Sequence, residues 1–186
     1  MNTKDLTYIA LFAAIYVVLG SFPAIYLPIA SGIPVTAQSM GPMLAGSILG
    51  AKRGALASLL FLILIAIGLP VLPGGRGGMS IFLGATAGYL IGFVVAAFFI
   101  GFMVELFWQR LNFITLCVIN VVGGIGVVYL FGIPWMAYVT KTPLWTAVIG
   151  SLVLLVGAFL KVLLASFIAI TIKKSVPLIT SKKNKS

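Results

Sequence analysis

Two basic residues stand where a charge needs a reason. Arg76 lies in the segment Gly68–Ser80, which reads GLPVLPGGRGGMS. Two prolines and five glycines there cannot continue a helix. The guanidinium therefore sits in a loop, between Gly75 and Gly77, where backbone amides are unshielded. A guanidinium beside free N–H groups suits a carboxylate, through bidentate and charge-assisted hydrogen bonds. An ordinary solvated loop arginine is the plainer alternative. Lys161 is the one charge clearly inside an apolar run. It precedes Lys173 by 12 residues, about 18 Å along a helix, too far for its side chain to reach the inner surface. At mid-bilayer it costs about 2.5–3.5 kcal/mol. Gly157, Ala158 and Ala165 flank it at helical spacing and leave room beside the ammonium. A ligand carboxylate would answer that charge; backbone carbonyls or water would also do so. Gln38, Ser39, Asn120, Tyr89 and Thr86 are further polar groups in or beside apolar runs. Each can hold a polar ligand or bond a neighbouring helix. The amides Gln38 and Asn120 are the stronger ligand candidates because they both donate and accept.

Other chemistry is excluded by what is missing. The chain has two acidic residues, no histidine and one cysteine. Carboxylate pairs, histidine bases, histidine-ligated metals and internal disulfides are all out of reach. No catalytic residue, cofactor or metal is expected, and lone Cys117 reads as a small apolar residue. Gly46–Arg53 faintly resembles a phosphate loop, but its Lys is one position late and no Ser or Thr follows. Any ATP-derived energy must come from another subunit.

The elements that position these residues must lie in a membrane. Of 186 residues, 62% are hydrophobic and 8% charged, with mean hydropathy +1.25. A soluble domain carries about a quarter charged residues. Turn and charge signals cut the chain into six apolar runs: Leu6–Leu27, Val35–Ala51, Gly54–Leu69, Ile81–Trp108, Phe113–Phe131 and Leu144–Ile172. The expectation is an all-α, polytopic membrane protein of six transmembrane helices. Residues 1–175 form one transmembrane domain, and 176–186 a basic, disordered tail. With the amino terminus inside, the inner side holds Lys4, Lys52, Arg53, Arg110, Lys173, Lys174, Lys182, Lys183 and Lys185. The outer side holds only Arg76 and Lys141. This asymmetry places both termini in the cytoplasm of a multi-pass cell-membrane protein. The net charge of +10 does not signal nucleic-acid binding, because no basic face interleaves with aromatics. The basic tail suits anionic lipid instead.

Small residues mark close helix contacts. Gly84, Gly88, Gly92 and Ala96 form an i, i+4 ladder that reads as bundle packing. Gly123, Gly124 and Gly126 indicate a bend or space beside a bulky group. Ala10 and Ala14 either pack inside or dock another membrane protein. Trp135 and Trp145 are expected to flank the loop after the fifth run, in an outer aromatic belt.

Several motifs then fall together: VTAQ at Val35–Gln38, AKRGA at Ala51–Ala55, GLPV at Gly68–Val71, GGRGG at Gly74–Gly78 and the pair Gly88-Tyr89. In combination they resemble the biotin transporter BioY family, most closely over the second to fourth runs. The resemblance implies a six-helix substrate-capture subunit of an energy-coupling-factor (ECF) vitamin importer, not an enzyme. It implies biotin bound from outside, and as partners a transmembrane coupling protein and two cytoplasmic ATPase subunits. An alanine motif on the first helix of such subunits contacts the coupling protein, and Ala10/Ala14 matches it. The family commonly has Pro-Gly-Asp ahead of the last helix's Leu-Lys; here the acid is replaced by Ala158, while Lys161 is kept. The alternatives are another carboxylated vitamin such as lipoate, or a membrane assembly protein without a ligand. Arg76 and Lys161 are the candidates for the carboxylate, with Gln38, Asn120, Tyr89, Gly75 and Gly77 around the rest.

Overall fold

The computed structural model describes residues 2–22, 25–26 and 34–175. Its architecture is all-helical, apart from a two-residue antiparallel pair, β1 (Ile25–Tyr26) with β2 (Pro34–Val35). Helix α1 spans Thr3–Gly20, and the Asp5 carboxylate closes its first turn by accepting from the Asn2 N–H at 3.0 Å. The same carboxylate pairs with Arg53 at 2.8 Å, fixing α1 against a later helix. The expected end of the first run, at Leu27 and Pro28, lies outside the described residues, as does the tail 176–186.

The second run does not make one long helix. A 3-10 turn over Ala37–Ser39 leads into α2 (Met40–Leu49), whose ten residues rise only about 15 Å. Gly50 then takes φ +85°, a conformation that ends the helix at once. Helix α3 (Ala51–Ala66) starts there, its first N–H donating to Glu105 Oε1 at 2.8 Å. The break follows from Gly50 rather than from the Lys52-Arg53 pair. After the Arg76 loop, a 3-10 turn (Met79–Leu83) leads to α4 (Ala87–Leu106).

The fifth run extends further than its sequence signals indicate. Helix α5 (Phe113–Asn120), a π-helical segment (Val121–Val127) and α6 (Val128–Thr140) are continuous, and Pro134 lies inside α6. Trp135 is therefore helical, not a loop residue, and its Nε1 donates to the Gly84 carbonyl at 2.9 Å. Trp145 is 72% exposed, as a belt residue would be. The three glycines fall in the π segment, where the backbone is underwound. Helix α7 (Leu144–Ser175) has 32 residues, about 48 Å. Lys173 near its end donates to the Trp108 and Leu111 carbonyls at 2.8 and 3.3 Å and lies 4.6 Å over the Trp108 ring. That contact ties α7 to the turn between α4 and α5.

Helix α4 is the centre of the bundle, packed against α2, α3 and α6. A Cβ on Gly88 would meet Trp135, and one on Gly92 would meet Val128 at 3.2 Å. The ladder thus serves α4–α6 contact, with Ala96 fully buried. Gly84 is the exception: it precedes α4, and a Cβ there would meet only the Ile81 carbonyl. Ala10 and Ala14 are exposed on α1 rather than packed inside. Four helical stretches are long and apolar enough to cross a membrane: Thr3–Gly20, Ala87–Leu106, Phe113–Thr140 and Leu154–Lys173. α2 and α3, at 10 and 16 residues, are shorter.

Candidate functional site

One cavity is bounded by α2, α4, the π segment with α6, α7 and the Arg76 loop. Its empty space, counting the open side, is about 840 Å³. The walls are mostly apolar: Met43 from α2, Leu90 and Phe93 from α4, Val128 from α6 and Leu154 from α7. Into this lining project Gln38, Ser39, Arg76, Tyr89 and Lys161.

Each polar group has a local reason for its place. The turn at Ala37–Ser39 carries Gln38, which is 2% exposed and bonds the Val71 carbonyl at 2.8 Å. Ser39 follows on the next position and accepts from Lys161 Nζ at 2.9 Å. This is the lysine's protein partner: a neutral hydroxyl, neither a carbonyl nor an acid. Lys161 belongs to a stripe at i, i+4, i+7 with Leu154 and Ala158, so one face of α7 supplies an apolar wall ending in an ammonium. The turn Leu72–Arg76 is closed by Leu72 N–H to the Arg76 carbonyl at 3.0 Å, and Gly74 and Gly75 take positive φ within it. Arg76 Nε donates to the Pro73 carbonyl at 3.2 Å, which sets the guanidinium plane while its remaining N–H groups stay available. Tyr89 packs edge-on against Tyr129, ring centres 5.9 Å apart, with its hydroxyl 3.5 Å from Ser151.

The structure therefore brings four of the expected residues, Gln38, Arg76, Tyr89 and Lys161, to one cavity. Ser39 and Thr86 also line it. Gly75 and Gly77 do not line it; they shape the loop, and Gly77 packs against the Leu69 carbonyl. Asn120 is elsewhere. It is fully buried, accepts from Ser47 at 3.3 Å and donates to Ser166 at 3.0 Å, so it bonds α2 and α7 to α5. Its amide is spent on helix contacts, which is the alternative its sequence position allowed. Thr36, Met43, Phe93 and Tyr129 are lining residues that sequence reasoning missed. Thr36 carried a signal, lying inside VTAQ beside Gln38; the others look like ordinary helix residues.

Two cations face a cavity whose lining holds no Asp or Glu. Such a site takes an anion by paired donors, with apolar walls for the rest of the ligand. Known proteins give the family. The sequence pattern of the BioY family matches residues 1–178. The chain belongs to the BioY family. It is 41% identical over 187 residues to the biotin transporter BioY of Rhizobium etli, covering 98% of this chain and all of that one. Over 130 residues it is 51% identical to biotin transporter BioY of Rhodobacter capsulatus, covering 70% of this chain and 67% of that one. The solved structure of the S-component for biotin from an ECF-type ABC transporter superposes with a TM-score of 0.86 at 34% identity. That match covers 94% of this chain and 95% of the other.

Proposed function

We propose that this BioY chain is the substrate-capture subunit of an ECF importer, binding biotin from outside and delivering it to an ATP-driven complex. The observation that carries the reading is the convergence of Arg76, Lys161, Gln38 and Tyr89 on one apolar cavity with no acidic residue in its lining. Biotin has a carboxylate, an apolar chain and a polar ureido ring. Arg76 and Lys161 supply the cationic donors that its carboxylate and other acceptors need. Met43, Leu90, Phe93, Val128 and Leu154 bury the apolar part, and Tyr89 and Tyr129 offer ring edges. Gly75 and Gly77 give the loop the freedom to bring Arg76 to the cavity. The chain performs no covalent chemistry.

The remaining architecture follows the same reading. Residues 1–175 form one membrane domain, and 176–186 a cytoplasmic tail. All six apolar runs cross or enter the bilayer, the short α2 and α3 acting together around Gly50. Both termini are cytoplasmic, since that orientation alone puts the basic excess inside. The partners are a transmembrane coupling protein and two ATPase subunits. The exposed Ala10 and Ala14 on α1 are the docking face for the coupling protein, because small side chains admit close approach of another helix.

The test is thermal unfolding of the detergent-purified chain with and without biotin. Ligand at about 100 times its dissociation constant adds roughly 2.7 kcal/mol. A clear upward shift, lost in Arg76→Ala or Lys161→Ala, is the expected result. A shift with lipoate but none with biotin would replace the ligand, and no shift with either would overturn capture.

A further inference from the structure

The surroundings of Gln38 restrict what its amide can do. Nε2 donates to the Val71 carbonyl at 2.8 Å and to the Tyr16 carbonyl at 3.4 Å. An amide nitrogen carries two hydrogens, and both are committed. A flipped amide would set Oε1 against two carbonyl oxygens, so this orientation is dictated by its neighbours. Tyr16 is itself immobile: fully buried, stacked on Phe61 with ring centres 4.9 Å apart, and bonded through its hydroxyl to Ser58 at 2.5 Å. Val71 immediately precedes the Leu72–Arg76 turn and is buried as well. Gln38 is therefore clamped from α1 and from the loop.

The free end is Oε1. Among the described residues it has no bond to a protein donor, yet none of their buried side-chain nitrogens or oxygens lacks a partner. Oε1 must then be open to the cavity that Gln38 lines. The other polar groups in that lining behave differently. Arg76 and Lys161 only donate; the hydroxyls of Thr36, Ser39, Thr86, Tyr89 and Tyr129 rotate and serve either way. Ala158 presents a methyl group. Among the described lining residues, Gln38 Oε1 is the one side-chain oxygen that can accept and never donate.

We propose that Gln38 is the specificity-determining residue of the cavity, an acceptor locked by Val71 and Tyr16 that selects ligands presenting an N–H. The inference rests on the proposed function and narrows it to carboxylates that also carry a ureido or amide donor. A ligand that seals the cavity without a donor strips water from Oε1 and returns nothing, a penalty that converts to about 5- to 150-fold in affinity. A correct donor restores the bond, and a locked acceptor loses no side-chain freedom in making it.

The experiment measures calorimetric affinities of the purified full chain for biotin and for biotin methylated on its ureido nitrogens. The unaltered protein is expected to bind the methylated compound about 10- to 100-fold more weakly. In Gln38→Met, which fills the same space without an oxygen, that ratio is expected to fall to near one, through weaker biotin binding. Equal affinities in the unaltered protein, or an undiminished ratio in Gln38→Met, would overturn the inference. Should Gln38→Met fail to fold, the comparison in the unaltered protein decides alone. A chain that binds neither compound would remove the proposed function itself, whereas one that binds both equally removes only the role of Gln38.

Discussion

Lys161, proposed as a donor to the ligand carboxylate, is expected to cost stability when no ligand is bound. Its ammonium is partly buried in a membrane helix with a serine hydroxyl as protein partner. A lysine at the centre of a membrane helix costs about 2.5–3.5 kcal/mol on insertion scales, a cost that an apolar side chain removes. Lys161→Met is therefore expected to raise the melting temperature of the ligand-free chain while removing most of the shift produced by biotin. Paired melting curves check both signs, and a lower ligand-free midpoint would contradict the account. Asn120 makes the opposite case. Its amide lies between Ser47 and Ser166 and away from the cavity lining. Asn120→Leu is expected to cost about 0.5–2 kcal/mol, the range of interhelical hydrogen bonds in membranes, with biotin affinity changed by less than about threefold. A calorimetric loss of tenfold or more would return Asn120 to the binding site. The sequence made Arg76 and Lys161 legible because a charge in a glycine loop or an apolar helix needs a partner. It left Gln38 and Asn120 equivalent, because two buried amides differ only in which neighbours reach them. Tyr129 and Met43 carried no signal, since an aromatic or thioether at helical spacing is ordinary core until the opposite wall is known.

At the scale of elements, the apolar runs were readable and their internal breaks were not. Hydropathy averages over a window, so it merged the 3-10 turn, α2 and the Gly50 break into one short run. It also stopped the fifth run at Phe131, where the chain continues through Pro134 to Thr140. In a membrane helix the groups freed by proline are satisfied by neighbours, so proline is a weaker stop than in water. The glycine cluster pointed to a bend or to room, and room beside bulky groups is what the contacts show. Val121–Val127 is π-helical, Gly124 admits Met43, and Gly123 admits Ile100. Spacing identified the ladder on α4, but not that Gly84 falls before the helix. This distinction is testable. Gly88→Val pushes a branched side chain into Trp135 and the Phe131 carbonyl, across the contact that holds α4 to α6. It is expected to destabilise by about 1–3 kcal/mol. Gly84→Ala, which meets only the Ile81 carbonyl at 3.4 Å, should leave the unfolding midpoint within a degree or two. Equal effects of the two would mean that α4 and α6 do not rely on close backbone approach.

For the whole molecule, the proposed capture role asks how an occupied cavity would reach the proposed docking face on α1. Helix α1 supplies no lining residue, yet it touches the site through the Tyr16 carbonyl held by Gln38. It is fastened again by Tyr16 to Ser58 on α3, and at its first turn by Asp5 to Arg53. One face of α1 is thus fixed to the bundle by three bonds at two levels, Tyr16 and Asp5. The other exposes Leu6, Ala10, Leu11, Ala14 and Val18. In a bilayer such a face gains nothing from hydrophobicity alone, because lipid is equally apolar; close packing at small residues is what distinguishes a partner from lipid. Enlarging Ala14 should therefore leave the chain's own fold and cavity untouched and disturb only what docks outside. Ala14→Leu is expected to bind biotin with unchanged calorimetric affinity and to melt at the unaltered temperature. Its co-purification with the coupling protein and ATPase subunits should fall at least tenfold, with uptake by the assembled importer lost in parallel. Lys161→Met is the matching control, keeping assembly and losing ligand. A variant in which Ala14→Leu weakens biotin binding as well would place Ala14 inside the bundle's own packing and move the docking face elsewhere.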